Sequence, residues 1–148
     1  MYTPEEFDIN KTQVMKYILY KKRTESEVRK KFCHTIEENM LEDIIEYVKE
    51  AGYINDKDYI KRLVNEYMAL KSMSIRELKN KIYEKGIYAD DIENYLYENK
   101  EELEAYELRS AEKLANKKKS LEPQKLKSYL VNKGFDTDTI NKVLKDEE

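Results

Sequence analysis

The chain is poor in everything that bends a backbone. Three glycines and two prolines in 148 residues cannot supply the turns of a hairpin-rich fold, so helices joined by short connections are expected. One cysteine, Cys33, excludes an internal disulfide and leaves no zinc-binding set. The one histidine, His34, adjoins it, but neighbours in a helix point about 100° apart, the wrong geometry for a nucleophile and its base. There is no glycine-rich phosphate loop and no pair of carboxylates in an apolar setting. Asp90–Asp91 reads more simply as a charge pair suited to a helix N-terminus. Binding rather than catalysis is expected, with no cofactor and no metal. No apolar run approaches the length of a membrane span, and Lys11 and Lys16 interrupt any signal-like apolar core in residues 1–20. The expected setting is soluble and cytoplasmic.

What the chain does have is charge. Charged residues make up 40% and hydrophobic ones only 40%, more charge than a compact globule carries; an elongated array of thin helical units tolerates it, because each unit exposes more surface. The stretch 53–87 shows one such unit clearly. Asn55 and Asp56 offer an N-cap. Tyr59, Ile60, Leu63, Val64, Tyr67 and Met68 recur at helical spacing. Ser74 and Glu77 form a capping box that opens a second helix striped by Leu78 and Ile82, and Gly86 is placed to end it.

The pattern recurs. Val28, Leu78 and Leu126 lie 50 and 48 residues apart, and each is followed four residues later by Phe32, Ile82 or Leu130. Thr24 and Glu27 repeat the capping box, and Pro123 stands where a first helical position is expected. Ile44–Val48, Ile92–Leu96 and Ile140–Leu144 continue the series, while a glycine after the second helix is present only in the later copies, at Gly86 and Gly134. Three copies of three helices are expected: a short lead-in over 1–9, then repeats over 10–52, 53–99 and 100–148. Val28, Phe32, Ile44, Val48, Tyr59, Leu63, Leu78, Ile82, Ile92, Leu96, Leu126, Leu130, Ile140 and Leu144 are expected to be buried.

Charge follows the same period. Residues 11–34, 59–87 and 108–133 carry net +6, +4 and +6, whereas 35–58, 88–107 and 134–148 carry −6, −7 and −3. The first two helices of each repeat are therefore basic and the third acidic, and stacking turns such a period into stripes. A basic stripe on a chain of pI about 5.5 points to a polyanion or an acidic partner, and argues against strong non-specific DNA affinity.

Three segments carry a resemblance. Arg23-Thr24-Glu25-Ser26-Glu27-Val28, Asn55-Asp56-Lys57-Asp58-Tyr59-Ile60 and the run Glu77–Ile87 stand in the order and spacing of the boxes of the RecX family, bacterial regulators of the RecA recombinase. Over nearly its whole length the chain resembles that family. The resemblance implies an all-α fold, three tandem three-helix repeats forming an elongated, curved right-handed array. It implies a regulator and not an enzyme, one that lodges in the groove of a RecA–DNA filament and lowers its ATPase and strand-exchange activity in recombination, repair and the SOS response. The basic stripe, Lys21, Lys22, Arg23, Arg29, Lys30, Arg62, Arg76, Lys79, Lys117, Lys118, Lys119 and Lys125, would then face DNA or an acidic RecA surface. DNA alone would be bound weakly, and the protein would act as a monomer. Two other readings fit the residues: a helical adaptor that binds only protein, and a weak stand-alone DNA-binding protein, although an acidic third helix makes a poor recognition helix.

Overall fold

The computed structural model describes residues 1–146, with side chains described through Lys145. Among the described residues there are nine helices and no strand: α1 Pro4–Tyr20, α2 Glu25–Phe32, α3 Glu38–Glu50, α4 Asp56–Leu70, α5 Ile75–Tyr83, α6 Ala89–Glu98, α7 Lys100–Lys117, α8 Pro123–Asn132 and α9 Thr137–Asp146. Residues 147–148, the end of the third expected repeat, lie outside them.

Local chemistry starts most of these helices. Both capping boxes form: Thr24 Oγ1 accepts from the Glu27 amide at 3.1 Å, and Ser74 Oγ accepts from the Glu77 amide at 3.1 Å, each glutamate returning the bond to its cap. Asn55 caps α4, and Pro123 occupies the first turn of α8. The lead-in expected over 1–9 is instead mostly helix. Thr3 caps Pro4, Glu5 and Glu6, which together are a full helix start, with proline at the position where its missing N–H costs nothing. The gain is packing: Phe7 meets Tyr47 edge-on, and the Tyr2 hydroxyl donates to Asp43.

The helices pack in threes, α1–α3, α4–α6 and α7–α9, and α7 also lies against α5 and α6. The apolar core divides accordingly. One cluster runs from Val14 to Ile54, a second from Ile60 to Tyr106, and a third from Ala111 to Val143. Tyr59, Leu63, Leu96 and Leu144 are half-buried, not buried as expected. They flank the apolar stripe of their helices, and Ile60, Val64, Ile92 and Val143 take the central places.

Between the groups the same seam recurs. Thr24 Oγ1 donates to the Lys85 carbonyl at 2.8 Å, and Ser74 Oγ donates to the Lys133 carbonyl at 2.7 Å. Each capping hydroxyl thus serves its own helix and also satisfies the end of a helix in the next group. The close approach requires glycine beside each carbonyl. A Cβ on Gly86 would fall 2.2 Å from Ser26 Oγ, and one on Gly134 would fall 3.0 Å from the Arg76 side chain. Among the described residues the turn after α2, which carries exposed Cys33, His34 and Thr35, makes no such close approach and has no glycine.

Candidate interaction surface

Four of the expected basic residues meet at one place. Lys21, Lys22 and Arg23 follow the end of α1, and Arg62 projects from α4 in the next group. One depression is lined by Lys21, Lys22, Tyr59, Arg62, Leu63 and Glu66, and an adjoining one by Lys22, Arg23, Tyr53, Asp58, Tyr59 and Arg62. Arg23 is fixed by its own group: its guanidinium stacks 3.9 Å over the Tyr17 ring and its Nε donates to the Tyr17 carbonyl at 3.3 Å. Among the described residues none of the four forms an ion pair. Exposed Leu19 and Tyr20 stand beside them at the end of α1.

Other residues of the expected stripe are already engaged. Arg29 holds Glu42 with two nitrogens, at 2.8 and 2.9 Å, and Glu25 at 2.5 Å. The Glu42 bond, ahead of burial and the Glu25 pair, holds the Arg29 pKa above its ordinary value. Lys49 adds a second cation to Glu25 at 2.7 Å. Burial would raise the Glu25 pKa, but Lys49 and Arg29 outweigh it, and the carboxyl stays below its ordinary range. Arg29 therefore ties α2 to α3 and is not a free surface charge. Lys79 pairs with Glu93 at 2.5 Å, and Arg76 lines a groove with Glu101, Glu104, Asp136 and Asp138. Lys30 is exposed. Lys117, Lys118, Lys119 and Lys125 are exposed on α7, its C-terminal turn and α8, where Lys118 Nζ lies 5.5 Å from the Tyr129 ring.

Two carboxylates, buried Glu107 and half-buried Asp56, make contacts between helix groups that sequence spacing did not assign. Glu107 Oε2 accepts from the Ile75 amide at 2.8 Å, and its Oε1 accepts from the Asp136 amide at 3.0 Å and the Thr139 hydroxyl at 3.2 Å. One side chain thereby joins α7 to the starts of α5 and α9. Its spacing was the available signal, because Leu103, Glu107 and Ala111 fall on one face of α7. Asp56 acts similarly at the other seam, accepting from the Glu25 amide at 3.1 Å. Burial, only partly offset by that bond, pushes its pKa up.

No protein-family model matches the chain. Among curated proteins it is similar to the regulatory protein RecX of Staphylococcus carnosus (strain TM300), 31% identical over 95% of this chain and 54% of that one. The regulatory protein RecX of Staphylococcus aureus (strain N315) is 30% identical over 95% of this chain and 53% of its own length. The chain spans about half the length of the curated relatives it matches. The crystal structure of RecX from Lactobacillus salivarius superposes with a TM-score of 0.82 and 25% identity, covering 97% of each chain. A second, of regulatory protein RecX, shares the fold at a TM-score of 0.78 and 22% identity, over 95% of this chain and 73% of that one.

Proposed function

We infer that this chain shares ancestry with the RecX proteins, to which it is about 30% identical over 95% of its length. From that premise we propose that the chain is a RecX-type regulator: it binds the RecA–DNA filament and lowers its ATPase and strand-exchange activity, modulating recombination and repair in the cytoplasm. Its working unit is a set of three tandem three-helix repeats, 10–52, 53–99 and 100–148, in an elongated, curved right-handed array. The repeated hydroxyl-to-carbonyl seam and the matched capping boxes support that arrangement.

The observation that carries the functional reading is the cluster of Lys21, Lys22, Arg23 and Arg62, cations from two helix groups that form no ion pair among the described residues. Desolvated against a polyanion they form charge-assisted bonds without first breaking internal ion pairs. Exposed Lys30, Lys117, Lys118, Lys119 and Lys125 extend the contact, while Arg29 and Lys79 are paired within the chain and exposed Arg76 shares its groove with several carboxylates. The test is RecA ATPase on single-stranded DNA with and without the protein. A dose-dependent fall is expected, and an unchanged rate at saturating protein rejects the proposal.

A further inference from the structure

The two seams between helix groups differ in what holds them. Between α4–α6 and α7–α9 the seam is apolar as well as polar. Leu103 and Tyr106 of α7 belong to the second core cluster, while Ala111 and Ala115 of the same helix belong to the third, so one continuous helix serves two cores. The Tyr106 hydroxyl donates to the Lys71 carbonyl at 2.5 Å and accepts from the Met73 amide at 3.0 Å, and Glu107 adds its bond from the Ile75 amide at 2.8 Å.

Among the described residues no helix of α1–α3 makes more than marginal contact with α4–α9, and no core cluster crosses. The chain passes from the first core to the second at Ile54–Asn55. What crosses is polar and gathers at one point, the start of α2: Thr24 to Lys85, the Glu25 amide to Asp56, and the Tyr88 hydroxyl to Glu25 at 3.5 Å.

The geometry points to a hinge at this first seam, with α1–α3 swinging as one body against α4–α9. Apolar area resists sliding and separation in proportion to its extent, whereas a few part-buried hydrogen bonds gathered at a single pivot allow rotation about that point while they stay made. The basic cleft straddles this seam, with Lys21, Lys22 and Arg23 on one body and Tyr59 and Arg62 on the other. The hinge angle therefore sets the spacing of the cations, and an anionic strand engaging both sides holds one angle. That second step rests on the DNA-facing reading of the cluster; the hinge itself does not.

Spin-label distance distributions on the full chain test it. In a Cys33→Ser background, Glu46→Cys with Glu98→Cys spans the first seam, and Glu98→Cys with Gln124→Cys spans the second. The first distribution is expected to be about twice as wide as the second, and Asp56→Ala should widen the first alone. Equal widths, or an Asp56→Ala effect on both pairs, overturn the hinge. Adding a single-stranded oligonucleotide should narrow the first distribution in the parent and not in Arg62→Glu. No narrowing in the parent overturns the link between cleft and hinge. RecA assays decide the filament reading separately, since the widths without DNA are independent of them.

Discussion

Glu25 concentrates the residue-scale energetics of the first helix group. Its carboxylate is nearly covered, yet it takes Arg29 and Lys49 together, so removing its charge leaves Lys49 without its partner beside Arg29, which keeps Glu42. Because its folded pKa is depressed, its contribution is fully present above the ordinary value of 4.5 and is lost as pH falls through the folded value. Asp56 has the opposite sign, since its raised pKa gives stability below the ordinary 3.8 that is lost as pH rises. Glu25→Gln is accordingly expected to lower the melting temperature at pH 7 and to flatten the loss of stability on acidification below pH 4.5. Thermal melts between pH 3 and 7 would show it, and parallel curves for parent and variant would refute it. Gly86→Ala is expected to cost more than Gly52→Ala. Both positions have positive φ, worth about 1–2 kcal/mol for an added side chain, but only Gly86 also meets Ser26. Urea titration of the two variants measures the difference.

At the scale of elements, α5 and α7 carry the middle of the molecule. Leu78 and Ile92 are fully buried in the second core, so Leu78→Ala or Ile92→Ala should cost about 2–5 kcal/mol. Glu107 is the polar counterpart. Glu107→Ala leaves the Ile75 and Asp136 amides unpaired where they face α7, a loss of about 1.5–3 kcal/mol per charged hydrogen bond. Glu107→Gln keeps one acceptor and should cost less. Equal losses for the two variants, measured by denaturant unfolding, would mean the carboxylate merely fills space.

For the whole molecule, function should follow the unpaired cations and not the total basic count. Lys21→Glu, Lys22→Glu and Arg62→Glu together are expected to abolish inhibition of RecA while leaving the helical circular dichroism unchanged, because none of these side chains forms an ion pair among the described residues. Arg29→Glu, by contrast, should lower stability by placing a third carboxylate against Glu25 and Glu42. A folded triple variant that inhibits like the parent would move the working surface elsewhere. Duplex DNA alone should bind weakly with a steep salt dependence, and tight binding that persists in high salt would favour the stand-alone DNA-binding reading.

Much of this architecture is written in short-range chemistry. The all-helical class, both capping boxes, Pro123 at a helix start and the burial of Val28, Ile44, Leu78, Ile92 and Leu130 follow from spacing and caps, which depend on neighbours a turn or two away. The start of α1 is also legible in Thr3, Pro4 and Glu6, a cap and a proline opening inside the stretch 1–9 expected as a lead-in. Charge could be counted along the chain, and its period was real in sequence. Which charges are free was decided only by tertiary structure. Arg29 and Arg23 lie six residues apart in one basic run, yet Glu42 arrives from α3 to take the first while Tyr17 orders the second without neutralising it. Glu107, the missing glycine after α2 and the unlike seams have the same origin. A carboxylate's partners, and the surface that meets a helix end, are chosen by residues far along the chain that only the packed fold brings within hydrogen-bond reach.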